Sequence, residues 1–210
     1  SVTTRGARLT RGTSVRRVLQ RFSLGRALVL WSSALTVPQD GPGRLGVLKY
    51  ASRKSGASDP HPLFSSKYYE QQAPDVAASG ALGAIHYLAV GDREGRPPHP
   101  LFDTRWYRET YGALLKAWPL TTLEHYLAVG AQDGLRPHVL FDPYHYVSQC
   151  EDIASNGREP LSHYLASGWR ENRTPHPLFD NDYYLDLNPD VLRQAVPPLL
   201  HYVIAGWREG

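Results

Sequence analysis

Residues 176–191 read HPLFDNDYYLDLNPDV, and this stretch carries the pattern that decides the fold. Its opening tetrapeptide occurs four times, at steps of 38, 39 and 38 residues, with Val139 replacing the proline once. The copies begin at the residues that we call the first histidines: His61, His99, His138 and His176. A fixed period of this length is the signature of a repeat architecture. We therefore divide residues 61–210 into unit one (61–98), unit two (99–137), unit three (138–175) and unit four (176–210).

Other positions keep the same period. Five residues after each phenylalanine come the first tyrosines, Tyr69, Tyr107, Tyr146 and Tyr184, and twelve after it come Val76, Leu114, Ile153 and Val191. A later His-Tyr pair supplies the second histidines, His86, His125, His163 and His201, and the second tyrosines, Tyr87, Tyr126, Tyr164 and Tyr202. Five residues after each second histidine stands a marker glycine: Gly91, Gly130, Gly168 or Gly206. This fixed register predicts that the aromatic residues form a packed core.

Short helices separated by proline and glycine are predicted in each unit. The first helix should begin after a capping residue, which is Ser65, Asp103, Asp142 or Asp180. Pro74 and Pro189, each followed by aspartate, suit the first turn of a second helix, whereas units two and three lack this pair and should run on less sharply. A third helix should start near Pro160 or Pro198 and end at the marker glycine in a left-handed conformation.

The predicted architecture is all-α, because no alternating strand pattern occurs in residues 61–210. A unit of about 38 residues is too short to enclose a core of its own. The four tandem helical repeats are therefore predicted to stack as a short solenoid. The last unit stops inside its turn at Gly210, so we expect the chain to continue in its native context.

The segment before the repeats is basic. Residues 1–60 carry a net charge of +9, against −6 for residues 61–210. Arg16, Arg17 and Arg21 flank an apolar stripe, which predicts an amphipathic helix in an arm over residues 1–38. The arm either binds an anionic membrane surface or caps the open end of the repeats, whereas nucleic acid would leave the stripe unused. Residues 39–60 form a predicted linker.

Chemistry-bearing motifs are scarce. Eight of the nine histidines are repeat markers, and within a unit the two are 25 or 26 residues apart. We expect them to cap helices or to bond backbone carbonyls rather than to bind metal, and His145 should fill an aromatic position. Cys150 is the single cysteine, so no intrachain disulfide can form. No catalytic residue, metal site or cofactor is therefore assigned.

The decisive stretch also carries a resemblance. Together with PLLHY at 198–202 and GWREG at 206–210, it resembles the short repeats of bacterial glycosyltransferases and surface-polysaccharide biosynthesis proteins, including rhamnan-synthesis-like ones. In that family such repeats flank or separate catalytic domains. The resemblance therefore implies an association with such domains, and it assigns no catalytic residue to this chain. It implies a cytoplasmic protein, peripheral to the inner membrane where the arm binds lipid.

Two functions follow as expectations. The first is a non-catalytic scaffold or protein–protein interaction module, whose partner is another protein or a catalytic domain of the parent chain. The alternative is an accessory glycan-binding region of a larger glycosyltransferase. The candidate partner or glycan surface consists of residues near the turns, which we expect to be exposed: Trp118, Trp169, Trp207, Arg96 and Arg173.

Overall fold

The computed structural model describes residues 59–150, 153 and 157–209. The predicted arm and nearly all of the predicted linker lie outside the described residues. Helix accounts for 56% of the described part, which contains no strand and no sheet. The prediction of an all-α protein is therefore confirmed.

The helices of units one and two are α1 (Ser66–Gln72), α2 (Pro74–Ser79), α3 (Gly83–His86), α4 (Thr104–Leu115) and α5 (Thr122–His125). Those of units three and four are α6 (Pro143–Val147), α7 (Pro160–His163), α8 (Asn181–Leu187), α9 (Pro189–Arg193), α10 (Pro198–His201) and α11 (Trp207–Glu209). A wider π-helical turn continues α3, α5, α7 and α10, over Tyr87–Gly91, Tyr126–Gly130, Tyr164–Gly168 and Tyr202–Gly206. The third helix of each unit thus changes its winding at the second tyrosine.

The first helix of each unit begins at the predicted cap. Asp103 Oδ1 accepts the backbone N–H groups of Arg105 and Trp106 at 3.0 Å. The equivalent bonds are made by Ser65, Asp142 and Asp180. Each satisfies an amide that the first helical turn leaves without a partner.

Unit two runs on as predicted, since α4 continues for 12 residues with a kink at Tyr111, whereas the same prediction is wrong for unit three, where α6 has 5 residues and ends at Val147. Leu114, twelve positions after the phenylalanine of unit two, is 55% exposed. Leu115 packs against the core instead. Unit two is one residue longer than its neighbours. Its packed aliphatic residue therefore lies one position later in the sequence than in the other units.

An aromatic cluster fills the inside of each unit. The ring centroids of Phe64, Tyr69 and Tyr87 lie 5.6–5.9 Å apart, and the two tyrosines meet edge to face at 85°. The same three contacts recur in the other units. Three first tyrosines are fully buried, as predicted, whereas Tyr184 in unit four is half-buried. One continuous buried cluster extends from Leu63 in unit one to Leu199 in unit four.

The marker glycines have a different role from the one predicted. None has a positive φ; the left-handed residues are Gly95, Gly134 and Asn172, four positions later in each turn. A Cβ on Gly168 would instead overlap the hydroxyl oxygen of Tyr146. That oxygen lies 2.7 Å from Nδ1 of His163. The missing side chain therefore makes room for a Tyr-His pair, which recurs in every unit and is buried in the first three.

Backbone hydrogen bonds join the first helix of units one to three to the last residue of the same unit. The N–H of the capping residue donates to the carbonyl of the proline that precedes the following first histidine. These bonds are Ser65 to Pro98 (2.9 Å), Asp103 to Pro137 (3.0 Å) and Asp142 to Pro175 (2.9 Å). In units one to three, the start of the first helix is thus fixed by the proline that ends the same unit.

Gly168→Ala should lower the free energy of unfolding by about 2 kcal/mol, because the added methyl group collides with Tyr146 in a packed interior. In the Tyr146→Phe background the same substitution should cost much less, because the hydroxyl is gone. Urea unfolding of the double-mutant cycle measures the coupling.

Gly112→Ala is the matched control, because Gly112 lies in α4 with open space around the position of a Cβ. It should leave stability unchanged or raise it. Equal losses from Gly112→Ala and Gly168→Ala, or additive effects in the cycle, would contradict the steric explanation.

Ala195→Gly should stabilise the protein by about 0.5 kcal/mol. Ala195 has φ 53°, and the equivalent positions in units one and three are Gly80 (φ 68°) and Gly157 (φ 61°). Glycine removes the strain of a left-handed Cβ, and the exposed alanine side chain has little packing to lose. Thermal unfolding should show a higher midpoint for Ala195→Gly and a lower one for Gly157→Ala; the reverse order would contradict this account.

Candidate functional site

The three candidate tryptophans occupy different environments. Trp207 is 56% exposed, as expected, whereas Trp169 is only 4% exposed, so its predicted exposure is wrong. Trp118 is half-buried, with its ring edge-on to His125 at 5.1 Å. Trp169 and Trp207 each follow a marker glycine and are equivalent. Unit four covers Trp169, and no later unit in the described part covers Trp207.

The two candidate arginines are held by internal partners. Arg96 pairs with Asp75 at 2.8 Å and with Glu94 at 2.7 Å. The Arg96 guanidinium lowers the pKa of the Asp75 carboxyl. Arg173, at the equivalent position, pairs with Glu171 at 2.6 Å and donates to the carbonyl of Gln149. Arg96 therefore fastens its turn to α2, and Arg173 fastens its turn to the segment that follows α6.

A groove of about 560 Å³ lies where unit three meets unit four. Its lining includes Trp169, Asp182, Asp186 and Leu192, but neither Trp118 nor Trp207. The Arg170 guanidinium stands over the Trp169 ring, 4.3 Å from its centroid. The groove therefore presents exposed carboxylates, and its indole has no open face on which a sugar could stack.

The first histidines stabilise the turn at which each unit begins. Nδ1 of each ring accepts the N–H of the residue two positions later at 3.1 Å. This ring atom can accept only while it carries no proton. Burial lowers the pKa of His61 to about 4 and that of His99 to about 3. These rings are therefore neutral components of the fold near pH 7.

The second histidines face the first tyrosines, at 2.7–2.9 Å from Nδ1 to the hydroxyl oxygen. Burial lowers the pKa of His86 and His125. The expectation that repeat histidines bond backbone carbonyls is thus wrong, since their Nδ1 partners are amides and hydroxyls. His145 is half-buried at the aromatic position, with Nε2 2.8 Å from Thr174 Oγ1. Among the described residues, no group of three or more His, Cys, Asp or Glu could hold a metal ion.

A buried polar cluster joins units one and two, and the sequence analysis missed it. Asp92 is 5% exposed and accepts from Thr122 N at 2.9 Å and from Arg108 Nη2 at 2.5 Å. The hydroxyl of Tyr87 lies 3.2 Å from the same carboxylate. Asp92 stands directly after the marker glycine of unit one, where unit three has Trp169. The residues at this repeat position therefore differ in chemistry. Comparison of the residue after the marker glycine with the residue that faces it in the next unit would have revealed the pair of Asp92 and Arg108.

The C-terminal end of unit four exposes apolar side chains whose equivalents are covered elsewhere. Leu178 is 88% exposed, whereas Leu63 and Leu101 are fully buried. Phe179 and Tyr202 are half-buried, although their counterparts in the other units are buried. Together with Trp207, these three residues form what we call the end face.

Comparisons with family models, with curated proteins and with solved structures give no significant match to this chain. Within residues 59–150, 153 and 157–209, no helix has the length and apolar content needed to cross a membrane. The assignment of a function therefore depends on the geometry of the described residues.

Stability should fall as the pH is lowered from about 6.5 towards 4. The unfolded chain takes up protons near pH 6.5, whereas the pKa of folded His99 is about 3, so protonation favours unfolding throughout this range. Each such histidine contributes a slope of about 1.4 kcal/mol per pH unit.

His99→Asn should flatten this dependence, because an asparagine oxygen can accept the same turn amide without becoming charged. Thermal unfolding at several values between pH 7 and 5 measures the slope for both proteins. An unchanged slope in His99→Asn would contradict the assignment.

Proposed function

We propose that residues 61–210 form a short solenoid of four helical units and act as a non-catalytic scaffold that binds another protein. The observation that carries this proposal is the buried cluster from Leu63 to Leu199, which joins the four units through their recurring aromatic and aliphatic side chains. Continuity of the buried cluster across all four units supports the solenoid.

The bonding of the recurring polar side chains supports a structural role. The capping residues accept helix amides, the first histidines accept turn amides, and the second histidines pair with tyrosines. Each of these groups is already engaged by the fold. A repeated unit of this kind offers a long surface rather than a single reactive constellation.

The link to bacterial surface-polysaccharide assembly is part of the proposal and depends on the resemblance of the repeat motif. The glycan-binding alternative receives less support, since Arg170 stacks on the ring of Trp169 and the indole is 4% exposed. In a cytoplasmic scaffold, the basic arm with Arg16, Arg17 and Arg21 would supply contact with an anionic membrane.

Incubation of the purified full chain with a panel of nucleotide sugars and acceptors should give no transfer and no donor hydrolysis. Product analysis by mass spectrometry measures both reactions. Turnover of any donor that persists through repurification would overturn the non-catalytic role.

The arm is tested in the same preparation with vesicles that contain phosphatidylserine, and with vesicles of phosphatidylcholine alone as the control. Binding should require the anionic lipid, weaken as salt rises and be lost in the Arg16→Gln, Arg17→Gln, Arg21→Gln variant. Binding that survives in this variant would move the lipid contact onto the repeats. A lower unfolding temperature with no lipid binding would indicate that the arm caps the repeats.

A further inference from the structure

The groove between units three and four opens on a surface that a following unit does not cover. Its volume is about 560 Å³, and its lining includes Asp182, Asp186, Leu192 and Ala195 of unit four. In unit one the equivalent residues are all exposed, although unit two follows them: Lys67, Gln71, Ala77 and Gly80. The opening of the groove therefore does not depend on where the sequence ends.

Two carboxylates line the groove without a cation beside them. Asp182 and Asp186 are exposed and lie four residues apart on α8, so they share one face of the helix, where like charges repel. The side-chain amide of Asn172 donates to Asp182 at 2.5 Å, but within the described part of the chain neither carboxylate has an ion-pair partner. The equivalent pairs in the other units contain at most one carboxylate: Lys67 with Gln71, Arg105 with Glu109, and Tyr144 with Ser148. Among the four units, the paired carboxylates are thus particular to this groove.

The groove lining also combines apolar side chains with a donor that has no acceptor. Trp169 is 4% exposed, and its Nε1 is buried without a hydrogen-bond partner among residues 59–150, 153 and 157–209. A buried N–H group without an acceptor costs free energy, so an acceptor that enters the groove removes this cost. Leu185 and Leu192 line the same groove, and the side chain of Leu192 is 55% exposed. The fold therefore leaves both a polar and an apolar requirement unfilled.

These groups define the chemistry of a matching ligand. The ligand needs a cation for Asp182 and Asp186, an aliphatic group for Leu185 and Leu192, and an acceptor for the N–H of Trp169. A peptide that carries arginine or lysine beside an aliphatic residue combines all three, since every peptide unit contains a carbonyl. Unit four has five carboxylates and two arginines, a net charge of −3, which attracts such a cation.

We propose that this groove binds a basic segment of a partner protein. The segment places an arginine or lysine between Asp182 and Asp186 and an aliphatic side chain against Leu192. One of its carbonyl groups accepts the N–H of Trp169. This inference rests on the proposed scaffold function and identifies the surface and the chemistry of its partner.

Fluorescence anisotropy with the full chain tests the site. The probe is a labelled hexapeptide of alternating arginine and leucine, acetylated and amidated so that only its arginine side chains carry charge. It should bind in a saturable way, and its binding should weaken as salt rises, because the two carboxylates are exposed. The same peptide with glutamate in place of arginine should not bind. The peptide with serine in place of leucine should bind several-fold more weakly, because it lacks the aliphatic contact.

Asp182→Asn together with Asp186→Asn should weaken binding of the arginine-leucine peptide about tenfold, because two ion pairs are lost. The matched control is Asp190→Asn together with Glu209→Gln. It removes the same charge from unit four, at exposed carboxylates that do not line the groove. This control should change the dissociation constant by less than about twofold. Thermal unfolding verifies that both variants keep the fold.

The absence of saturable binding would overturn the inference, and so would equal binding of the glutamate or serine peptide, or an equal loss in the Asp190→Asn, Glu209→Gln control. Competition by spermidine as strong as that by the unlabelled peptide would assign the groove to a small cation. Tighter peptide binding by the Arg16→Gln, Arg17→Gln, Arg21→Gln variant would assign it to the basic arm, and either result overturns the proposed partner. These outcomes are separate from sugar turnover. Turnover would refute the proposed function without changing peptide binding, and failed peptide binding would leave the non-catalytic role intact.

Discussion

The contact on which the structure depends is the buried pair formed by a tyrosine hydroxyl and a histidine ring beside a glycine. Tyr146 extends from the first helix of its unit to the last, where His163 meets its hydroxyl at 2.7 Å. The hydroxyl occupies the space that any side chain on Gly168 would fill. Removal of this group would leave a buried polar atom without a partner, and a larger residue at the glycine would force the helices apart. This one constraint explains why three residue types recur in fixed register.

The constant contacts inside a unit contrast with the variable contacts between units. Each unit repeats its aromatic cluster and its Tyr-His pair, so these features make the units alike. Between units one and two the residue after the marker glycine forms an ion pair, Asp92 with Arg108, whereas between units three and four the equivalent Trp169 lines a groove with Leu185. A buried charge needs a partner of opposite charge, whereas a buried indole needs an apolar surface. The residues between units therefore differ in chemistry from one pair of units to the next.

The difference between contacts within a unit and contacts between units also explains the environments of the candidate site residues. Trp169 and Trp207 occupy the same place in their units, and only the presence of unit four buries the former. Arg96 and Arg173 also occupy equivalent places, and their carboxylate partners hold them on the protein's own turns. The exposure of a candidate residue is thus set by what packs against it rather than by residue type alone.

The sequence by itself determined the period, the helical class, the helix caps and the burial of the first tyrosines, because each depends on short-range spacing that recurs. It also located the marker glycines, although for a wrong reason: their need for space comes from a tyrosine 22 or 23 positions earlier, as Tyr146 is to Gly168. Only the tertiary structure decided which tryptophan is exposed and which arginine is engaged, since exposure depends on whether another unit lies against a residue. The ion pair of Asp92 with Arg108 likewise follows from packing between units, and spacing within one unit contains no record of it.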